Sequence, residues 1–307
     1  MGVAVSLDFD RRPSALPYMV RAMLPAARHV DLSPQIVARW RGHRVQAEQL
    51  AAFQRLAGQP AAGRALPMLY PHTFGFRLAM AILTHPTFPV PIWGVLQTRN
   101  HLVQHRRIPV DGYLDFETRV MRGRAVAKGA EFDLHTTVHV DGELAWESDL
   151  TFFTRGRFGE PGPAAPLARS PSDTGPPVAE WTMQDAGHCA FGRFTGDYNG
   201  IHLWDWYARR LGFRRGLYHP PRVLGECLAR LPRLEEQDCP VRLDVWLKGP
   251  VSHGAQVRLH AATSEHEATF ALYAGDERPS IVGRLAANGP PDTVQRTIES
   301  CIRSNRN

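Results

Sequence analysis

Two stretches of this chain are written to the same plan. "AAFQRLAGQP", from Ala51, aligns with "CAFGRFTGDY", from Cys189, and both give Ala-Phe-x-Arg-x-x-Gly. "LYPHTFGFRLAMAIL", from Leu69, aligns with "LYHPPRVLGECLARL", from Leu217. "IPVDGYLDFETRV", from Ile108, aligns with "GPVSHGAQVRLHA", from Gly249, once one residue is inserted. Three matched blocks in one order are the mark of an internal duplication, so the chain must build one kind of unit twice.

Each unit reads as a short polar helix, then an apolar helix entered through proline near Pro71 or Pro220, then strands. In the first half the strand-like runs are "GVLQTRNHLVQ", "YLDFETRVMRG", "AEFDLHTTVHV" and "LAWESDLTFFT". In the second they are "VRLDVWLKG", "QVRLHAAT", "ATFALYAG" and "SIVGRLAA". "HVDGEL" carries the Asp-Gly signal of a tight hairpin. A long apolar helix followed by an antiparallel meander predicts an α+β fold in which a sheet wraps the helix. Two such sheets can pair edge to edge and so protect their edge strands. "RGRFGEPGPAAPLARSPSDTGPPVAE" is rich in Pro, Gly and Ala and reads as a linker with little to bury. The expected divisions are a first unit over 1–155, a linker over 156–180, a second unit over 181–290 and a tail over 291–307.

The 307-residue chain carries a formal charge of +6, mostly as arginine scattered among acids. No basic block points to nucleic acid, whereas arginine suits an anionic small molecule or an acidic carrier protein. No apolar run is long enough to span a membrane, and Asp8 and Asp10 interrupt the N-terminus, which does not read as a signal peptide. Gly2 and Ser6 fit a myristoylation pattern by chance. Cys189, Cys227, Cys239 and Cys301 form no metal-ligand spacing, so reduced cytoplasmic thiols are expected. Clustering in "QTRNHLVQHRRIP" makes Arg99, Arg106 and Arg107 candidates for a carrier phosphate, although a solvated basic face is the simpler reading. Phe74, Phe76, Leu78 and Met80 are core residues on the same argument, or the lining of an acyl tunnel.

The halves differ at one place. Twelve positions separate Gly58 from Tyr70, and twenty-two separate Gly196 from Tyr218. The longer spacing follows Asp197, Asn199 and His202, where the first half has Gln59 and no histidine. A carboxylate and an imidazole on one turn-rich segment can hold a water between them for acid–base work beside a carbonyl. Read alone, "TGDYNG" is turn chemistry, with Asp and Asn bonding their own backbone. Its coincidence with the extra segment and a degenerate twin favours a site.

"FTGDYNGIH" resembles the signature of the MaoC-like dehydratases, the (R)-specific enoyl-CoA hydratases of hydratase 2 type. The resemblance implies a double hot-dog with a degenerate first half that serves as acyl-binding scaffold. It implies reversible hydration of enoyl thioesters, or dehydration of (R)-3-hydroxyacyl thioesters, by Asp197 and His202 through one water, with Asn199 at the motif's asparagine. Acyl-CoA or acyl carrier protein would be the substrate. No metal or cofactor is implied beyond coenzyme A or phosphopantetheine in the substrate. A cytoplasmic location and a homodimer are compatible with it, and neither nucleic acid nor membrane is an expected partner. Two positions depart from the pattern: Gly200 replaces a proline, and Pro220 replaces a glycine whose amide helps form the oxyanion hole. The expected substrate contacts are therefore Gly196, Tyr218, the His219 side chain and the next amides, those of Arg222 and Val223. The Pro220 departure favours, as the alternative, a non-catalytic acyl-thioester-binding subunit; a hot-dog thioesterase is a third reading.

Overall fold

The computed structural model describes residues 4–22, 31–60, 63–163, 165, 167–233, 240–275 and 277–287. The expected tail at 291–307, Gly2, Cys239 and Cys301 lie outside the described residues.

In the first half, β1 (Val5–Phe9) and α1 (Leu16–Ala22) precede β2 (Ile36–Arg44), α2 (Ala47–Leu56) and α3 (Leu69–Leu83). Four strands follow, β3 (Val95–Gln104), β4 (Tyr113–Val126), β5 (Gly129–Val140) and β6 (Glu143–Arg155). The second half repeats this order as β7 (Pro177–Thr182), α4 (His188–Thr195), α5 (Asp205–Arg210), α6 (Pro220–Leu228), β8 (Val241–Leu247), β9 (Gln256–Thr263), β10 (Glu267–Tyr273) and β11 (Ile281–Ala287).

All eleven strands form one sheet in the order β1-β2-β4-β5-β6-β3-β8-β11-β10-β9-β7. From β2 to β3 and from β7 to β8 the order is the same, reflected about the β3–β8 seam, so the halves do join edge to edge. The seam is antiparallel and runs from Arg99 opposite Trp246 to Gln104 opposite Val241. It holds a buried polar pair in which His101 Nδ1 lies 2.9 Å from Asp244 Oδ1. Burial alone would raise the Asp244 carboxyl, but the His101 hydrogen bond and the Arg242 guanidinium hold it below its ordinary value.

The eight expected strand runs are β3–β6 and β8–β11. Asp141 and Gly142 both take positive φ, as a two-residue hairpin turn of this kind requires. The sheet wraps α3, whose residues are all buried except Phe76, so Phe74, Leu78 and Met80 are core. Strands β1, β2 and β7 and helix α1 were not anticipated. Strand β7 begins inside the expected linker, and the linker is less idle than its composition suggests. Leu167 packs with Trp246, Ala271 and Val282 on the outer face of the second sheet, and its carbonyl accepts the Trp246 indole N–H at 2.8 Å.

Two of the three arginines of the basic cluster, Arg99 and Arg106, are held by partners within the first half. Strand alternation turns Arg99 to the outer face, beside Trp246, where a bidentate pair with Glu131 at 2.7 and 2.9 Å keeps it buried. Arg106 donates to the carbonyls of Val140 and Glu143. Arg107 stays exposed.

Two histidines sit in this core. His43 packs among Trp40, Tyr70, Phe74 and Phe116, with Nε2 3.2 Å from the Tyr70 hydroxyl. Burial, reinforced by Arg12 and Arg77, pushes it down to about 4. Burial alone pushes His72 down to about 4 as well. Both are neutral when folded and take up protons near 6.5 once unfolded. The unfolded state therefore binds more protons between those values, and stability must fall as pH drops from about 6.5 to about 4. Urea midpoints measured across that window should decline with acid, and His43→Phe should flatten the decline. An unchanged slope in His43→Phe would show that His43 is not one of the titrating groups.

Candidate active site

Helix α4 ends at Gly196, which takes φ +75° and turns the chain onto Asp197. The turn is fixed from behind by Arg77 of α3, a buried guanidinium that donates to the carbonyls of Phe194 (3.2 Å), Pro13 (2.6 Å) and Arg193. These include carbonyls of the last turn of α4, the negative end of that helix. An arginine within an otherwise apolar helix was the available signal for this residue, and sequence reading passed over it.

From Asp197 onward the backbone is organised by its own side chains. The Asp197 N–H donates to Thr195 Oγ1 at 3.1 Å. Asp197 Oδ1 accepts the Asn199 N–H at 2.9 Å, and Asn199 Oδ1 accepts the Ile201 N–H at 3.2 Å. Asn199 thus braces the turn through its carboxamide oxygen. A 3-10 turn, Gly200–His202, then presents the imidazole.

His202 Nδ1 lies 2.9 Å from the Leu217 carbonyl. A carbonyl only accepts, so Nδ1 carries a proton, and the neutral form of the ring has its lone pair on Nε2. That Nε2 stands 3.5 Å from Asp197 Oδ2, the oxygen not used by the Asn199 amide. The gap is too long for a good hydrogen bond, and a water seated beside the pair can reach both atoms. Both side chains are partly exposed, so the space is accessible.

His219 closes the floor. Its ring stacks on His202 with centroids 4.1 Å apart, and Nε2–H donates to the Asp197 carbonyl at 3.0 Å. Burial and the adjoining His202 hold it well below its ordinary value, so it is neutral. Asp197, His202 and His219 bring ligand atoms within 4.8 Å of one another, near enough for a metal. However, His202 Nδ1 and His219 Nε2 are spent as donors to carbonyls, which leaves only the far nitrogen of each ring as a ligand.

The other expected contacts lie elsewhere. Helix α6 opens with Pro220 and Pro221, which have no N–H. The next two amides are both taken by the His219 carbonyl, at 3.0 Å from Arg222 and 3.4 Å from Val223. The expected displaced oxyanion site at those amides is not formed. The Arg222 guanidinium is buried and donates to the carbonyls of Ala186 and Gln184 at 2.6 and 2.8 Å. Val223 and Tyr218 are buried, and the Tyr218 hydroxyl donates to the Gln184 carbonyl at 3.0 Å. Gly196 backs onto Arg77. His219 alone of these five adjoins the Asp197–His202 gap.

A second polar cluster abuts the first. His253 Nε2–H donates to the same Leu217 carbonyl at 3.1 Å, and its ring stacks face to face on His188 at 3.5 Å. His188 Nε2 lies 3.0 Å from Asp185 Oδ1, and Arg215 holds Asp185 Oδ2 at 2.6 Å. Burial, then the charge of His188, pushes His253 down to about 4. Asp185, His188 and His253 are close enough for a metal. The Arg215 guanidinium on Asp185 and the parallel rings, whose lone pairs do not converge, fit a structural brace instead. His253 occupies the one-residue insertion between the duplicated "PVDG" and "PVSHG", which is where sequence could have marked it.

In the first half, Gln59 sits where Asp197 sits in the second. Its amide donates across to the Gly225 carbonyl of α6. The fold is a double hot-dog, and the polar turn at Asp197–His202 lies in its second half.

No family model matches the chain. The 3-hydroxyacyl-thioester dehydratase X of Mycobacterium tuberculosis is 27% identical over 261 residues, covering 83% of this chain and 91% of the relative. A crystal structure of HtdX from Mycobacterium tuberculosis matches with a TM-score of 0.67 at 26% identity, over 81% of this chain and 99% of that one. A MaoC-like dehydratase from Phytophthora capsici matches with a TM-score of 0.63 at 17% identity, over 82% and 95% of the two chains, a likeness of fold. A Mycobacterium tuberculosis protein described as having a double hotdog fold matches at 0.51 and 16% identity, over 87% and 97%. The chain thus shares the double hot-dog fold of these proteins and is similar in sequence to a 3-hydroxyacyl-thioester dehydratase.

The departure at Gly200 has a local cause. A Cβ there would stand 2.8 Å from Cγ of the Tyr207 ring. Gly200→Ala should therefore destabilise the protein by about 1–3 kcal/mol through overpacking. In a double-mutant cycle with Tyr207→Ala, measured by urea unfolding, most of that cost should disappear. Additive effects would mean the ring is not what excludes a side chain at position 200.

Proposed function

We propose that this protein hydrates trans-2-enoyl thioesters, or in reverse dehydrates (R)-3-hydroxyacyl thioesters, with Asp197 and His202 acting on one water. The observation that carries this reading is the 3.5 Å gap between His202 Nε2 and Asp197 Oδ2, with His202 Nδ1 committed to the Leu217 carbonyl. With His202 neutral, both facing atoms are acceptors, so a water between them donates to both. One takes the proton as the water oxygen bonds C3 of the enoyl group and the C2–C3 π bond opens. The pair returns a proton to C2. Because addition and protonation start from one point, they occur on one face. The (R) configuration is taken from the family likeness, and dehydration of a 3-hydroxyacyl thioester from the activity in the relative's name.

His219 contributes by position. It supports the His202 ring and holds the Asp197 backbone, and as a buried neutral group it adds no charge beside the reacting atoms. No protein cofactor is part of the proposal; the thioester arm, coenzyme A or phosphopantetheine, arrives with the substrate. The first half serves as scaffold, since Gln59 is turned onto α6.

The test follows loss of enoyl absorbance with crotonyl-CoA. Asp197→Asn and His202→Ala should each lower the rate by about 10²–10⁴-fold. The double variant should be little slower than either single variant, because the two act as a unit. Gln59→Ala should retain kcat. Full activity in both single variants would refute the assignment. Release of free thiol instead of hydration would favour a thioesterase, and neither reaction would favour the non-catalytic binder.

A further inference from the structure

The residues inserted after the catalytic turn do more than carry His202. Helix α5 and its return, "WDWYARRLGFRRG" from Trp204, form a platform directly beside the Asp197–His202 gap. It is braced from below. Asp205 Oδ1 accepts the Gly216 N–H at 2.8 Å, and Arg215 bridges Asp205 and Asp185. Tyr207 packs over Gly200. The upper side is different. Trp204, Trp206 and Leu211 are 48%, 57% and 53% exposed, unusual for such large apolar groups on a polar segment. The two indoles stack at 6.0 Å. The same segment carries Arg209, which is exposed, lies 3.7 Å from Asp205 and donates to the Arg214 carbonyl at 3.3 Å, and the exposed Arg210 and Arg214. Neither Arg210 nor Arg214 has a side-chain hydrogen-bond or ion-pair partner among the described residues.

We propose that this platform docks an acidic carrier protein that delivers the acyl group on a phosphopantetheine arm. The proposal rests on the thioester reading above. Charge complementarity selects the partner: two arginines without counter-ions, Arg210 and Arg214, share one short segment with exposed apolar groups, the composition that meets an acidic, partly apolar protein surface. Position selects the same partner, because a docked carrier must sit within an arm's length of the reacting turn, and the platform is continuous with that turn. A six-residue helix offers too little apolar face to lie in a lipid surface, which argues against an anionic membrane.

The test measures binding of a bacterial holo-acyl carrier protein, without acyl group, to the full chain by fluorescence anisotropy. Binding should weaken by about tenfold or more when salt rises from about 0.05 M to about 0.5 M. Arg210→Glu/Arg214→Glu should weaken it by a similar factor. Trp206→Ser should weaken it while keeping the salt dependence. Arg122→Glu/Lys128→Glu, an equal charge change on exposed residues of the first half, should leave it unaltered. Absence of carrier binding, or equal loss in both double variants, overturns the proposal. So does an equal loss of affinity for coenzyme A alone in Arg210→Glu/Arg214→Glu, which would place a nucleotide phosphate there. Binding to phosphatidylglycerol vesicles that depends on the same two arginines overturns it in favour of a membrane. Crotonyl-CoA hydration is assayed in parallel. Carrier binding through Arg210 and Arg214 without hydration would refute the enzymatic reading and leave the docking surface standing.

Discussion

One short helix of each half, α2 or α4, ends against the central helix of the other, α6 or α3, and the geometry of the Asp197–His202 turn depends on that crossing. Gly58, just past the end of α2, lies so close to α6 that a Cβ would meet Glu226 Cγ at 2.7 Å. Gly196, at the end of α4, lies so close to α3 that a Cβ would meet Arg77 Cγ at 3.0 Å. Both glycines take positive φ, which a larger residue adopts only with strain. The two crossings are alike in shape and differ in who supplies the polar bond. On the degenerate side the residue after the glycine, Gln59, reaches out to α6. On the functional side the bonds come from the opposite helix, through Arg77, and the residue after the glycine is released. Asp197 can face His202 because Arg77 has taken over the bracing that its twin performs for itself.

The start of α6 shows a second exchange. A helix N-terminus normally offers free amides and a partial positive charge. Here two prolines fill the first positions, with φ already near the helical value, and His219 takes the first two amides that remain. The segment gives up donors and gains rigidity just where His219 must hold Asp197 from below. The His202 tautomer is fixed by a similar economy. Leu217 O receives both His202 and His253, so one carbonyl at the return of the inserted segment ties the reacting imidazole to the His188–His253 stack.

Much of this was legible in the residues, and the failures have physical causes. Alternating apolar and polar residues marked β3–β6 and β8–β11, and the Asp-Gly turn marked their hairpin. Strands β2 and β7 are the matching outer members of the two halves, yet their sequences hide it: "IVARWRGHR" is crowded with arginine, and "PVAEWT" follows a proline-rich run. Asp197 and His202 were identified from spacing and likeness, and they do face each other. Arg222 and Val223 were placed from the missing glycine amide, and the inference failed because it counted donors without counting the His219 carbonyl that claims them. Arg99 was read from clustering along the chain, whereas on the outer face of β3 it is taken up by Glu131. What sequence could not reveal was pairing across the molecule: Arg77 with α4, His253 with Leu217, Gln59 with α6.

The longer spacing in the second half links these observations. The same inserted run supplies His202 at its start, the Trp204–Trp206 platform and its arginines in the middle, and the Leu217 carbonyl at its end. The first half lacks all three together, and its Gln59 is correspondingly free to serve as a brace. A single insertion thus distinguishes the two halves. Its parts are mutually dependent: Asp205 anchors the return through Gly216, the return places Leu217, and Leu217 sets which nitrogen of His202 faces Asp197. A disturbance of the platform that loosened Asp205 would reach the imidazole through covalent neighbours and two hydrogen bonds. The surface that faces outward and the tautomer that faces Asp197 are therefore held by the same short piece of chain.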